Sequence, residues 1–211
     1  CSADEIISGG FQIYTSFAPQ LQAIADRVYE DKSLFPANAS DGTLLQSAMA
    51  VVDTRSGAVL AMIGGRSYTT RRGLNRATQM RRQPGSALKP LAVYGPALEL
   101  GYTTASVLLD EKTSFGSYTP RNAGDRYYGL VTMRTAVRNS LNTTAVRLLE
   151  EIGMDASVRY LRKLGIPVQD SDRNLSLALG SMSYGVTPVE LAAAYVPYAN
   201  GGTFYSPHCV N

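Results

Sequence analysis

Two side chains near the middle of the chain, those of Ser86 and Lys89, could form a nucleophile and its base. They are three residues apart, so a helix would place both on one face. A serine hydroxyl attacks well only when a base takes its proton, and a lysine can do so only as the neutral amine. Apolar neighbours around Lys89 favour its burial and loss of charge. The pattern predicts covalent catalysis, although Ser-x-x-Lys also arises by chance about once in a few hundred residues.

The tripeptide Ser140-Leu141-Asn142 is a second group that could serve the same reaction. It falls between two helical stretches, and in an extended link residues two apart point to the same side. Ser140 could relay a proton to a leaving amine, while Asn142 could hold a substrate amide and orient Lys89. The alternative is structural, because either polar residue could cap a helix that begins at Thr143.

The remaining residue types exclude several other kinds of site. The single histidine, His208, lies beside Pro207 and Cys209, where we expect a surface position rather than a Ser-His-Asp triad. One histidine and two cysteines provide no zinc ligand set, and no calcium loop or nucleotide-binding glycine motif occurs. We therefore expect neither a metal nor a cofactor, although a cation site made of carboxylates alone stays open. Cys1 and Cys209 are equally compatible with a disulfide and with two free thiols.

The composition is that of a folded protein with a mild positive charge. The 211 residues are 45% hydrophobic and 18% charged, and the net charge is +3. This length allows one domain, alone or with a short extra element. No apolar run approaches the roughly 18 residues of a membrane span. A cluster of arginines in residues 66–82 could attract an anionic polymer, but we expect a solvated face and no nucleic-acid partner.

Hydrophobic periodicity predicts an α+β fold to position these groups. Residues 9–17 alternate as a short strand, and the spacing after Pro19 predicts a helix to about Lys32, followed by a connector over 33–43. Two apolar runs, 47–54 and 58–65, predict a β-hairpin buried on both faces. Such a hairpin needs further strands to pair with its edges.

Beyond the hairpin the chain is predicted to be mainly helical. A helix should run from Ser86 to about Leu100, and residues 101–131 should form a loop. Thr187 and Glu190 flank a proline in the pattern of a capping box, which predicts a helix to about Asn200. The other predicted helices span about 132–139, 143–152 and 155–164.

The segment Asn75–Pro90 (NRATQMRRQPGSALKP) resembles the nucleophile segment of class A penicillin-binding proteins. The Ser140-Leu141-Asn142 tripeptide matches the second motif of that family. Three longer stretches are also similar to the family: 9–22 to the junction before its transpeptidase domain, 50–65 to its first hairpin, and 177–202 to a helical region. The resemblance implies a β-lactamase/transpeptidase-like sheet flanked by helices, with residues 1–43 as the junction and 44–211 in the transpeptidase domain.

The resemblance also implies peptidoglycan cross-linking by a serine D-Ala-D-Ala transpeptidase. Ser86 would attack the D-Ala-D-Ala bond of a stem peptide, release the last D-Ala and pass the acyl group to another strand's amine. β-Lactams would acylate the same serine. Lys89 would be the base, Ser140 the proton relay and Asn142 a substrate-binding residue. Such proteins act at the outer face of the cytoplasmic membrane, and no cofactor is implied.

One part of the family pattern, the Lys-[Ser/Thr]-Gly motif, is missing from residues 1–211. The strand that should carry it would follow Asn211, so we expect a sheet without its C-terminal strands. Residues 1–211 alone should then be inactive, or should depend on a further C-terminal fragment or chain. Two alternatives stay open: a β-lactamase or D,D-carboxypeptidase-type hydrolase, and a scaffold without catalytic activity.

Overall fold

The computed structural model describes residues 2–67, 70 and 72–210 and has the α+β architecture predicted from the sequence. The strands of the described residues are β1 (Met49–Val52), β2 (Val59–Ile63), β3 (Val107–Asp110) and β4 (Gly129–Thr132). The α-helices are α1 (Ala3–Ser8), α2 (Pro19–Glu30), α3 (Gly95–Glu99), α4 (Met133–Arg138), α5 (Asn142–Ile152), α6 (Met154–Lys163) and α7 (Pro188–Tyr195). Short 3-10 turns and one π-helical segment connect several of them.

The predicted hairpin is present as the antiparallel pair β1 and β2, with Met49 opposite Ile63. Helix α2 packs against β2 and helix α7 packs against β1. Burial on both faces, however, is wrong for β1. This strand is half-buried along its whole length, whereas β2 alternates between buried and half-buried residues. The reason is that the outer edge of β1 has no partner strand in the described residues.

A second hairpin, β3 with β4, lies in the region predicted to be a loop. The strands are antiparallel, with Val107 opposite Thr132 and Asp110 opposite Gly129. Each strand has four residues, which is too short to show a clear alternation, and its partner is distant in the chain. The loop prediction for 101–131 is therefore wrong for residues 107–110 and 129–131.

The predicted strand over residues 9–17 is also wrong. Thr15 forms a single antiparallel bridge with Val210, and the described residues of this stretch form no strand. Phe11 and Ile13 are 56% and 58% exposed, so alternation here does not reflect a buried face. Helix α2 follows as predicted, with Pro19 in its first turn.

The helices predicted in the second half of the chain are confirmed as α4, α5, α6 and α7, with shifts of one or two residues at most starts and ends. The capping box of α7 forms as expected: Glu190 N–H donates to Thr187 Oγ1 at 3.2 Å, and Thr187 N–H donates to Glu190 Oε2 at 2.9 Å. This helix ends at Tyr195 and continues only as a 3-10 turn, because Pro197 has no N–H for the helical ladder.

The main hydrophobic core surrounds the segment that follows Ser86. Leu88, Leu91 and Val93 are 0% exposed and share one cluster with buried residues of α5 and α6. A smaller cluster joins β2 to α7 through Val59, Ala77 and Val189. In the described residues no helix is long and apolar enough to span a membrane.

His208 and two of the clustered arginines are less exposed than expected from the sequence. His208 is half-buried and its backbone pairs with β2, where its carbonyl accepts Val59 N–H at 2.8 Å. Arg66 and Arg81 do not lie on a solvated face: Arg66 stacks on Phe35 at 4.3 Å, and Arg81 forms a salt bridge with Glu190. Cys209 is a free thiol, whereas Cys1 and Arg71 lie outside the described residues.

Candidate active site

Ser86 lies on an irregular helix that brings it into line with Lys89. Residues Gly85–Leu88 form a 3-10 turn, and Lys89 continues with helical backbone angles. A 3-10 helix has three residues per turn, so side chains at positions i and i+3 align. Ser86 is exposed, whereas Lys89 is only 2% exposed. The same face therefore carries an accessible hydroxyl and a buried amine.

Pro90 explains why this helix is irregular. It has no N–H, so the Ser86 carbonyl cannot accept the usual α-helical hydrogen bond and instead accepts Lys89 N–H. The next residues, Pro90–Tyr94, form a π-helix before α3 begins. Two tyrosine hydroxyls donate to carbonyls of this segment: Tyr195 to Ala87 at 2.6 Å and Tyr198 to Pro90 at 2.9 Å. The helix around Lys89 is thus held by side chains about a hundred residues away in the chain.

The turn before Ser86 is held by backbone contacts with residues 180–186. Arg82 and Val186 exchange two backbone hydrogen bonds of 3.0 and 2.9 Å. Gly180 has φ +79°, and a Cβ there would lie 2.1 Å from the Gly85 carbonyl oxygen. Only glycine allows the two segments to approach this closely. This packing holds the backbone before Ser86 in place and so fixes the position of the Ser86 side chain.

Ser140 occupies a strained position at the end of α4. Ser140 N–H donates to the Val137 carbonyl and Leu141 N–H donates to the Ala136 carbonyl, which is the Schellman pattern of hydrogen bonds. In that pattern the residue at the Ser140 position has left-handed backbone angles and is usually glycine. Ser140 has φ +50°. A residue with strained backbone angles often lies at a functional site.

Lys89 connects this turn to the Ser86 helix. Its Nζ donates to the Ser140 carbonyl at 2.6 Å, to Ser140 Oγ at 3.0 Å and to Asn142 Oδ1 at 2.5 Å. Burial lowers the pKa of Lys89 from 10.5 to about 8. No hydrogen bond joins Lys89 to the Ser86 hydroxyl in the described part of the chain. The structure therefore brings Lys89, Ser140 and Asn142 into contact, with Ser86 one turn away.

Capping by Ser140 or Asn142, the structural alternative, is wrong for this helix. Helix α5 begins at Asn142, and its N-cap residue is Leu141, which cannot cap with its side chain. The Asn142 side chain lies between two other groups: Oδ1 accepts from Lys89, and Nδ2 donates to the Arg121 carbonyl at 2.6 Å. These contacts fix the orientation of the Asn142 amide, with its oxygen toward Lys89.

Asn122 caps α5 in place of Leu141. Its Oδ1 accepts the backbone N–H of Asn142 at 2.7 Å and that of Thr143 at 3.2 Å. Its Nδ2 donates to Asp110 Oδ1 at 2.8 Å. Neither Asn122 nor Asp110 was expected in the site from the sequence. No spacing signal could have found them, because the contacts join residues 12 to 33 positions apart in the chain.

The hydrogen-bond donors and lone pairs of Lys89 and Ser140 allow proton transfer between the two side chains. A charged Lys89 has three N–H donors, and its three hydrogen bonds use all of them. A neutral Lys89 keeps two donors and gains a lone pair. The Ser140 hydroxyl can reverse its hydrogen bond and donate to that lone pair, because a hydroxyl both donates and accepts. Lys89 and Ser140 can thus exchange a proton without any movement of heavy atoms.

In the part of the chain that is described, no group of three His, Cys, Asp or Glu residues could hold a metal ion.

Comparisons with known proteins identify the family of this chain. Residues 47–211 match the family model described as the penicillin binding protein transpeptidase domain. The chain is 39% identical over 211 residues to penicillin-binding protein 1F of Bacillus subtilis, covering 100% of this chain and 29% of that protein. It is 35% identical to penicillin-binding protein 1A of Clostridium botulinum, covering 94% of this chain and 26% of that protein. The chain thus spans less than a third of the length of these curated relatives.

Solved structures show the same fold. The crystal structure of penicillin-binding protein 1A from Haemophilus influenzae matches with a TM-score of 0.71 and 32% identity, over 82% of this chain and 27% of that one. PonA1 from Mycobacterium tuberculosis matches over 100% of this chain and 55% of its own, with a TM-score of 0.85 and 24% identity. The expected transpeptidase-type fold is confirmed. The chain belongs to the penicillin-binding protein transpeptidase family, as its class A motifs predicted.

Proposed function

We propose that this chain provides the nucleophile and base of a peptidoglycan D,D-transpeptidase, with Ser86 as the residue that is acylated. The observation that carries the proposal is the buried Lys89 amine, which contacts Ser140 and Asn142 one turn from the exposed Ser86. Its pKa of about 8 leaves about a tenth of Lys89 neutral at pH 7. That fraction makes Lys89 a usable base, which an exposed lysine is not.

Acylation begins when Ser86 Oγ attacks the carbonyl carbon of the penultimate D-Ala. The hydroxyl proton passes to neutral Lys89, and the tetrahedral intermediate collapses as the C–N bond to the terminal D-Ala breaks. The departing amine takes a proton through Ser140, which recovers one from Lys89. Asn142 holds a substrate amide and orients Lys89. An amine of a second stem peptide then attacks the ester. The C–O bond to Ser86 breaks as the new amide forms, and the proton that the amine loses passes through Lys89 to Ser86 Oγ.

A β-lactam uses the first half of this sequence. Ser86 Oγ attacks the ring carbonyl, and the ring C–N bond breaks, but the leaving nitrogen stays attached to the acyl group. Imipenem forms such an acyl-enzyme in penicillin-binding protein A from M. tuberculosis, which matches this chain with a TM-score of 0.77 and 20% identity. That match supports the fold, and the site geometry supports the chemistry in this chain.

We further propose that residues 44–211 act together with a C-terminal segment that carries the Lys-[Ser/Thr]-Gly motif. The outer edge of β1 has no partner strand in the described residues. A groove of about 920 Å³ lies beside it, lined by apolar residues of β1 and α7 and by both polar and apolar residues between Arg76 and Pro84. The strand that carries the motif would supply a backbone N–H to the oxyanion hole, where loss of one donor costs about a hundredfold in rate. Residues 1–43 are the junction, and the protein works at the outer face of the cytoplasmic membrane.

The proposal is tested by labelling the complete protein that contains this chain with a fluorescent penicillin. We expect covalent label on the wild type and none on Ser86→Ala. A matched control, Ser114→Ala, removes another exposed serine hydroxyl and should label normally. Equal labelling of Ser86→Ala and wild type would refute the assignment of the nucleophile. Rapid loss of label from the wild type would instead indicate a β-lactamase.

A further inference from the structure

Asp110 and Asn122 form a buried polar pair beneath the Ser140–Asn142 turn. They are 0% and 6% exposed, and neither forms a hydrogen bond with Ser86 or Lys89. Asp110 makes no salt bridge within the described ranges. Burial of an unpaired carboxylate is costly unless hydrogen bonds replace its water. The hydrogen-bonding groups of this pair must therefore be satisfied within the protein.

Hydrogen bonds connect this pair to the candidate active site. Asp110 Oδ1 accepts from Asn122 Nδ2 and from the Thr143 hydroxyl, and Asp110 Oδ2 accepts Tyr128 N–H at 2.9 Å. These contacts hold the Asn122 amide in one orientation, because only Nδ2 can face a carboxylate. Asn122 Oδ1 must then face the first backbone N–H groups of α5.

The position of Asn142 depends on this chain of contacts. Its backbone N–H is bound by Asn122, and its side-chain oxygen lies 2.5 Å from Lys89 Nζ. Because Leu141 offers no cap, loss of Asn122 would leave the first backbone N–H groups of α5 without their acceptor. The first turn of the helix would then loosen, and the Asn142 side chain would shift relative to Lys89.

We infer that Asp110 and Asn122 are positioning residues that fix the Ser140–Asn142 turn so that the Asn142 amide oxygen meets Lys89. The inference rests on the proposed acylation of Ser86, and the two residues act on that step without touching the substrate. A displacement of about 1 Å at a catalytic group can cost about a hundredfold in rate. The pair should therefore affect the rate of acylation more than the binding of the penicillin.

An exchange of the two side chains tests the inference. In Asp110→Asn, either orientation of the new amide turns an NH2 group toward another donor, Asn122 Nδ2 or Tyr128 N–H. In Asn122→Asp, two carboxylates face each other. The double variant D110N/N122D restores the match, because the new amide donates to the new carboxylate, which still accepts both N–H groups of α5. Two contacts are not restored in their wild-type form. The Thr143 hydroxyl, which donates to Asp110 Oδ1, must turn and accept from the new amide. The Arg126 carbonyl, 2.9 Å from Asn122 Nδ2 in the wild type, loses its donor.

The measurement separates binding from chemistry in the complete protein. For each variant we would measure the dissociation constant of the non-covalent penicillin complex and the first-order rate constant of acylation. Each single variant should lose about tenfold to a hundredfold in acylation rate, with the dissociation constant changed by about twofold or less. The double variant should be at least about tenfold faster than the product of the two single effects predicts.

A stability control distinguishes positioning from general loss of structure. Val158→Ala shortens a side chain that is 2% exposed in α6 and should lower the thermal stability without slowing acylation. Additive single effects, or single variants that acylate at the wild-type rate, would overturn the inference. If the single variants do not fold, the double variant is the test. The inference requires that it fold and acylate within about tenfold of the wild-type rate, and failure of either would overturn it. A wild-type protein that takes no label would instead refute the proposed function.

Discussion

The pH dependence of acylation follows directly from the burial of Lys89. The amine is 2% exposed, and burial lowers its pKa from 10.5 to about 8. If neutral Lys89 is the base, the rate of acylation follows the neutral fraction. That fraction is about a tenth at pH 7, compared with about 0.03% for a lysine with pKa 10.5, so burial makes about 300-fold more base available. Below pH 8 the rate should rise about tenfold per pH unit, and above about pH 9 it should be constant.

The assay is the second-order rate constant for labelling by a fluorescent penicillin between about pH 6 and pH 9.5. The expected midpoint lies near pH 8. Lys163→Met serves as the matched control, because Lys163 is an exposed lysine paired with Glu99 at 3.2 Å and should not affect the profile. A rate that is constant from about pH 6 to pH 9, or one that still rises about tenfold per pH unit up to about pH 9.5, would refute the role of Lys89 as the base. A midpoint that moves in Lys163→Met would show that the profile reports another group.

Three further predictions concern the elements that hold the site. Ser140→Ala and Ser140→Gly both remove the hydroxyl and should slow acylation equally. The glycine variant should be more stable than the alanine variant by about 1 kcal/mol, because glycine adopts φ +50° without strain. Equal free energies of unfolding in denaturant would contradict this. Gly180→Ala should destabilise the protein strongly and abolish labelling, because the new Cβ would lie 2.1 Å from the Gly85 carbonyl oxygen. The control Gly201→Ala, at φ +84° with open space around it, should show backbone strain alone. Similar melting temperatures of the two variants would argue against the close packing. Tyr195→Phe removes the hydrogen bond to the Ala87 carbonyl and should cost about 1 kcal/mol of stability, read from denaturant unfolding; an unchanged midpoint would show that this carbonyl is otherwise satisfied.

Much of the fold could be predicted from local patterns. The capping box at Thr187 and Glu190, the hairpin of β1 and β2, and the helices after Thr132 all depend on residues close together in the chain. The two strands β3 and β4 were missed for the opposite reason. Each has four residues, and a long connection separates them, so their pairing leaves no periodic signal.

The candidate site divides in the same way. The sequence by itself determined that Ser86 and Lys89 share a helix face and that apolar neighbours surround the lysine, because both properties follow from spacing along a few residues. Only the tertiary structure decided where the amine points. Lys89 meets Ser140 and Asn142, 51 and 53 positions later, and these hydrogen bonds form only when α5 packs beside the Ser86 helix. The support from Asp110 and Asn122 likewise exists only in the folded chain, since a hydrogen bond across a long loop depends on packing and not on sequence spacing.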